Sequence, residues 1–94
     1  MTTTVLPVIH SNGNSAESLQ TEYLEAHRMC LKFKESFYKI DFHMRNYYPL
    51  GEELMNDAAE SRQEVIKQIN SVQDYILQHL EHLANEINKK KYKL

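Results

Sequence analysis

The sequence is poor in residues that cross-link or interrupt a chain. Its 94 residues include no tryptophan, one cysteine, two glycines and two prolines. One cysteine cannot build a disulfide framework, so nothing indicates an oxidising compartment. Cys30 lies among apolar residues at helical spacing, where a small buried side chain is expected rather than a reactive thiol. The glycines and prolines fall in two short breaks, which leaves long uninterrupted stretches for helices.

An excess of positive charge is also missing. The chain has 11 Lys and Arg against 13 Asp and Glu, a formal net charge of -2. It therefore has no overall positive field to hold a nucleic-acid duplex. The first residues lack the basic and apolar regions of a signal peptide, and no apolar run approaches the length of a membrane span. We expect a soluble, cytoplasmic protein that binds neither duplex nucleic acid nor membranes.

Two stripes of apolar residues dominate what is present. The residues of the first stripe recur at alternating steps of four and three, and those of the second at steps of three, four and, once, seven, which keeps each stripe on one face of a helix. A break at residues 45–51, with Pro49 and Gly51, separates the stripes and forces a turn. This pattern predicts an all-α fold, an antiparallel helical hairpin. The stripes are Leu19, Tyr23, Ala26, Cys30, Phe33, Phe37, Ile40 and Met44, then Leu54, Ala58, Val65, Ile69, Val72, Ile76, Leu80, Leu83 and Ile87.

The chain is predicted to form one hairpin domain, residues 14–94, behind an extended N-terminal arm and turn, residues 1–13. Helix 1 should run from about 15 to 44, the loop from 45 to 51 and helix 2 from about 52 to 88. Asn14 and Ser15, followed by Glu17, provide a capping-box-like start for helix 1. The basic tail, residues 89–94, suits a fraying helix end better than a phosphate-binding arm.

Each predicted helix carries a second apolar row beside its stripe. Two helices that face each other cover one seam apiece, so the additional rows need other partners. A domain of this length also buries little surface per residue as a monomer. We therefore expect the hairpins to assemble into a homo-oligomeric helical bundle. The additional rows are Leu24, Leu31 and Tyr38 in helix 1, and Ile66, Leu77 and Ala84 in helix 2.

The polar turn before helix 1 is a candidate anion site. His10, Asn12, Gly13 and Ser15 place imidazole, carboxamide and hydroxyl groups beside the free amides of a helix N-terminus. Those amides and the helix dipole attract phosphate or carboxylate groups, and Gly13 allows close approach of the backbone. The alternative is an ordinary turn followed by a helix cap.

The loop between the helices is a candidate site for a nucleotide. Arg45 offers a guanidinium for phosphate, Tyr47 and Tyr48 offer aromatic faces for a base, and Asn46 adds a carboxamide. The alternative is that one tyrosine caps the hairpin core while Arg45 stays solvated. The two polar segments lie at opposite ends of helix 1. Head-to-tail association of two hairpins would bring them together in composite pockets between subunits.

No pattern of catalytic residues emerges. His79 and His82 lie at a spacing that can share a metal, but no third ligand completes the site. His27 and Cys30 lie one helical turn apart without an orienting acid or an oxyanion loop. We therefore expect a non-enzymatic protein with no metal and no cofactor.

The two polar segments, separated by one amphipathic helix, resemble the pattern HLNGTS … RDYYPQG of small bacteriophage and prophage proteins of unassigned function. The resemblance covers about residues 8 to 87. Asn46 replaces an aspartate of the pattern, which removes an acidic hydrogen-bond acceptor, and Ser11, Asn14 and Leu50 also depart from it. The matching residues are His10, Asn12, Gly13, Ser15, Arg45, Tyr47, Tyr48, Pro49 and Gly51.

In architecture, an oligomeric phage hairpin is similar to the anti-CBASS and anti-Thoeris sponges, which sequester cyclic nucleotide or ADP-ribose-type immune signals. This similarity implies a protein that sequesters a small nucleotide-like ligand in pockets between subunits, in the host-cell cytoplasm if a phage encodes it. The competing hypothesis is a helical protein–protein interaction module, an adaptor or inhibitor whose apolar row binds a host protein.

Overall fold

A computed structural model describes residues 3–9 and 15–91 of the chain. Two helices, α1 (Ala16–Tyr38) and α2 (Glu52–Lys91), pack side by side as an extended hairpin of 68 × 26 × 21 Å. Two 3-10 turns, Met44–Asn46 and Tyr48–Leu50, lie between them. The described residues contain no strand. The predicted all-α hairpin is therefore confirmed.

Helix α1 begins where the sequence predicts. Ser15 is the N-cap in an extended conformation, with φ -68° and ψ 157°, and its Oγ accepts a hydrogen bond of 3.0 Å from the backbone N–H of Ser18. Glu17 places a negative charge in the first turn, near the positive end of the helix dipole. The hydroxyl of Ser15 thus satisfies one of the free amides of the helix.

The predicted end of helix 1 near residue 44 is wrong, because α1 ends at Tyr38. The N–H of Lys39 points back to the carbonyls of Glu35 and Ser36, each at 3.2 Å. Asp41 follows, a negative charge that would oppose the dipole if the helix continued. The chain instead turns back along the first turns of α2, which is why α2 has 40 residues and α1 only 23.

Helix α2 starts immediately after Gly51. This glycine has φ 97° and ψ 163°, a conformation that residues with a Cβ rarely adopt. Its carbonyl accepts the N–H of Met55 at 3.0 Å, and Glu52 and Glu53 occupy the positive end of the helix. The helix runs to Lys91, past the predicted end at 88.

The seam between the helices differs from the predicted stripes. Ala26, Phe33 and Ile40 on the first stripe, and Leu54, Val65 and Val72 on the second, are exposed. Each helix carries apolar residues on more than one row, so their spacing in the sequence does not decide which row of one helix packs against the other helix. The seam keeps part of each predicted stripe and replaces the rest with positions of an adjacent row. Its heptads are Ala16, Gln20, Tyr23, His27, Cys30, Lys34 and Phe37 on α1, and Met55, Ala59, Arg62, Ile66, Ile69, Gln73, Ile76, Leu80, Leu83 and Ile87 on α2.

Polar groups inside this seam fix how the helices align. Lys34 donates from Nζ to Oε1 of Gln73 at 2.7 Å, across the two helices. His27 also faces the seam, and its Nε2 is buried with no hydrogen-bond partner among the described residues. Since moving a half-buried polar group away from its partner is costly, the Lys34–Gln73 pair favours one register of the hairpin.

An aromatic stack holds the open end of the hairpin. The ring of His79 is 2% exposed and lies 4.7 Å from the ring of Tyr23 and 4.3 Å from that of Tyr75. Its Nδ1–H donates to the carbonyl of Tyr75 at 2.8 Å. Burial, together with the nearby phenol of Tyr75, raises the pKa of Tyr23 above its usual 10.0. The imidazole of His79 is therefore part of the hairpin core.

The described part of the arm, residues 3–9, is tied to α2. Nε2–H of His82 donates to the carbonyl of Pro7 at 2.8 Å. Val5 and Val8 are both 83% exposed, so their side chains are turned away from the hairpin. One side of the arm therefore contacts the helix, while its other side presents apolar groups to solvent.

One apolar side of the hairpin has no covering element. Tyr23 on α1 contacts His79 on α2. Positions reached from either residue by steps of three, four or seven residues along its helix therefore lie on the same side of the molecule. We call this surface the Phe33 face. Phe33 and Val72 are each 56% exposed on it. Its members are Ala26, Met29 and Phe33 on α1, and Val65, Val72 and Tyr75 on α2.

The opposite side of the seam carries a second apolar surface. Leu31 and Tyr38 lie three and four residues from Lys34, and Leu77 lies four residues from Gln73, so all three flank the Lys34–Gln73 pair. We call this surface the Leu31 face. It differs from the Phe33 face in having a cation at its edge, and it comprises Leu24, Leu31, Tyr38 and Leu77.

Leu83→Ala should lower the free energy of unfolding by about 2–5 kcal/mol, because Leu83 is 0% exposed and its removal leaves a cavity. Leu54→Ala in the same helix is the matched control. Leu54 is 51% exposed, and its loss should change stability by no more than about 0.5 kcal/mol. Urea unfolding followed by circular dichroism measures both, and equal effects would contradict the described seam.

Candidate functional site

The connection between the helices is built from two consecutive tight turns. N–H groups of Asn46 and Tyr47 bond to the carbonyls of His43 and Met44, at 3.1 and 2.9 Å. Leu50 and Gly51 repeat this pattern, bonding to the carbonyls of Tyr47 and Tyr48 at 3.0 and 3.1 Å. Pro49 fixes a backbone angle in the first turn of the second element. The segment is therefore an ordered connection.

A cluster of aromatic rings and one guanidinium anchors this connection to the helices. The ring of Phe42 lies 5.4 Å from the ring of Tyr47. The guanidinium carbon of Arg62, on α2, lies 5.2 Å from the centre of the Phe42 ring and 5.1 Å from that of Phe37, on α1. Both distances are within the range of a cation–π contact.

The predicted loop residues divide into an anchored and an exposed set. Tyr47 is half-buried against Phe42. Arg45, Asn46 and Tyr48 are exposed, with Tyr48 at 62%. Within residues 3–9 and 15–91, Arg45 forms no ion pair. Tyr47 thus packs at the end of the core, as the structural alternative expects, while a guanidinium and a phenol remain accessible beside it.

Of the four residues predicted to form an anion site before helix 1, one, Ser15, falls within the described residues. His10, Asn12 and Gly13 lie outside the described residues. Ser15 is described, and its hydroxyl caps α1. From Ser15 to the hairpin connection, α1 extends for 23 residues, or about 34 Å. One chain therefore does not bring Ser15 and Arg45 into a common site.

The other candidate side chains are used in the structure of the hairpin. His79 and His82 each bond to a backbone carbonyl, those of Tyr75 and Pro7. Cys30 is half-buried in the seam. A shallow, open groove of about 500 Å³ lies near the end of α2, lined by His82, Asn85, Glu86, Asn88 and Lys89. It is wide open to solvent and lies far from Arg45 along the helix.

Two residues of this region, Arg62 and Phe42, are not among those predicted from the sequence. A signal for Arg62 was present in the second stripe, which skips from Ala58 to Val65. The missing heptad position falls at Arg62, a charged residue where an apolar one is expected. No comparable signal marked Phe42, because it was expected to continue helix 1.

Comparisons with known proteins give no further guidance. No protein family, curated protein or solved structure matches this chain. The resemblance to phage proteins therefore stays a prediction. In the part of the chain that the structure describes, no helix is long and apolar enough to cross a membrane.

Gly51→Ala should destabilise the hairpin by about 1–3 kcal/mol, since a Cβ strains the backbone at φ 97° even though nothing lies within 4 Å of its position. Asn46→Ala, a change at an exposed loop residue whose φ is negative, is the control and should shift stability by less than about 0.5 kcal/mol. Thermal unfolding compares them. A Gly51→Ala protein as stable as the control would contradict the described turn.

Proposed function

We propose that this protein is a non-enzymatic, homo-oligomeric binding protein that sequesters a small nucleotide-like ligand in pockets between subunits. The observation that supports the ligand is the hairpin connection, where Arg45 and Tyr48 are exposed on a segment anchored through Tyr47. A guanidinium binds phosphate through paired hydrogen bonds, and a phenol ring stacks on a base. Neither group is occupied by an ion pair or a ring stack among the described residues.

The oligomer is favoured by the apolar surface that the hairpin leaves uncovered. The Phe33 face has six uncharged members contributed by both helices. Contiguous apolar surface on this scale typically marks an interaction site. A second hairpin is the simplest cover, because its own Phe33 face is apolar over the same length and the contact closes by two-fold symmetry. The result is a four-helix bundle.

The pocket requires the two hairpins to pack antiparallel, with the connection of one beside the open end of the other. In that arrangement the start of α1 in one subunit lies beside the connection of the other. The predicted anion-binding residues His10, Asn12, Gly13 and Ser15 would then approach Arg45 and Tyr48 of the second subunit. Unpaired amides at a helix start complement phosphate, which would add to the charge of Arg45.

The first test is the oligomeric state. Phe33→Glu places a charge in the centre of the Phe33 face and should yield monomers of 11.1 kDa in sedimentation equilibrium. Leu31→Glu makes the same change on the opposite face and should preserve the oligomer. Circular dichroism controls for folding. A wild-type monomer at micromolar concentration, or dissociation by Leu31→Glu alone, would contradict this interface.

The second test is ligand binding. A thermal-shift screen with a cyclic dinucleotide, a cyclic trinucleotide, ADP-ribose and AMP should raise the melting temperature for at least one of them, since a ligand that binds only the folded state stabilises it. Arg45→Ala and Tyr48→Ala should each weaken that binding about tenfold to a hundredfold. Arg28→Ala removes another exposed arginine, one paired with Glu25, and should leave the affinity unchanged.

Mixing variants tests whether the pocket is shared. Arg45→Ala and Asn12→Ala chains should each bind poorly alone. In mixed oligomers, a pocket built from both subunits regains some sites in which Arg45 and Asn12 are intact. Calorimetry on verified mixed oligomers measures this recovery. Mixed oligomers that bind no ligand would rule out the composite pocket.

A second candidate function is a protein–protein interaction module, and the Leu31 face favours it. This face stays uncovered if the Phe33 faces pair. Lys34 lies at its edge, where it donates a hydrogen bond to Gln73 and forms no ion pair with a carboxylate of the described residues. An amphipathic helix of a host protein could cover such a face. A stable oligomer that binds none of the four nucleotides would favour this candidate over ligand sequestration.

A further inference from the structure

Arg62 occupies a position where the fold calls for an apolar residue. It lies on the inward heptad row of α2, between Ala59 and Ile66, and is half-buried. A cation in such a place is usually paired with an acid. Within the described ranges Arg62 forms no ion pair. Its environment is aromatic instead.

The guanidinium of Arg62 contacts rings from two different segments. Phe37 belongs to the last turn of α1, and Phe42 belongs to the connection that follows. The guanidinium carbon lies 5.1 Å from the first ring centre and 5.2 Å from the second. The planar group therefore joins α1, α2 and the connection. An aliphatic side chain could pack against the same rings, but its contacts would not depend on its orientation to them.

We propose that Arg62 is the positioning residue of the hairpin connection. Arg62 contacts Phe42, and the ring centre of Phe42 lies 5.4 Å from that of Tyr47. Tyr47 in turn lies between the exposed Arg45 and Tyr48 in the sequence. Arg62 thereby fixes the direction in which these two groups face solvent. Its role in ligand binding rests on the proposed function, whereas its hold on the connection does not.

Three substitutions separate positioning from stability. Arg62→Leu supplies the apolar residue that the heptad favours, so the hairpin should stay folded with an unchanged or higher melting temperature. Arg62→Lys keeps the charge and loses the planar group. Gln20→Leu is the matched control, a half-buried polar residue on the seam row of α1, about five helical turns before Phe37.

The readout that does not depend on a ligand is backbone order in residues 43–50. In the wild type, amide ¹⁵N heteronuclear NOE values there should be as high as in α2, and the side-chain protons of Arg62 should be shifted upfield by the rings of Phe37 and Phe42. Arg62→Leu should lower the NOE values of this segment, and Arg62→Lys should lower them as well. Gln20→Leu should leave them unchanged.

The ligand readout uses a cyclic dinucleotide as the probe. If Arg62→Leu leaves the connection in its binding geometry only one tenth of the time, affinity falls about tenfold. A wild type that binds no nucleotide would overturn the proposed function, while the NOE values would still decide the role of Arg62. An Arg62→Leu protein with an ordered connection, or one whose order falls only as much as in Gln20→Leu, would overturn the positioning role.

Discussion

The width of the apolar surface on each helix is the constraint on which the rest of this structure depends. Both helices carry apolar residues over three adjacent rows, and a hairpin buries only the central one. The fully buried side chains, such as Leu83 and His79, lie on or next to that central row. The outer rows become the Phe33 face and the Leu31 face. In a chain with narrower stripes, the hairpin itself would bury all of the apolar residues. This hairpin leaves an apolar surface exposed on each of two sides.

Charged and polar residues in the seam give the hairpin a specific alignment at two places. Lys34 meets Gln73 in the middle of the helices, and Arg62 meets Phe37 and Phe42 near the connection. Apolar residues could fill both positions, but they would allow the helices to slide by a heptad. The seam thus combines modest burial with directional contacts. The one fully buried side-chain nitrogen or oxygen without a hydrogen bond among the described residues, Nε2 of His27, belongs to a polar residue on the same row as Lys34.

The connection packs against the start of α2, beyond the end of α1. Because α1 ends at Tyr38, the next residues follow the first turns of α2, and their aromatic side chains cover it in place of a helix. Phe42 and Tyr47 therefore serve as core residues at this end. That arrangement leaves Arg45 and Tyr48 on the outside of an ordered segment, which is the form that a binding loop needs: fixed backbone and free side chains.

The sequence by itself determined that the chain forms two amphipathic helices, that the first starts at Ser15 and that a turn ends at Gly51. These features are local, since heptad spacing, a capping hydroxyl and a glycine conformation act within a few residues. Only the tertiary structure decided which row forms the seam. Adjacent rows of a helix are similarly apolar and similarly spaced, so the packing of the second helix determines which of them is buried. The tertiary structure also decided where α1 ends and placed Arg62 between two rings, because the competing contacts come from residues far apart in sequence. For the same reason, the exposure of Arg45 and the packing of Tyr47 could not be read from a loop in which both residues are neighbours of Pro49 and Gly51.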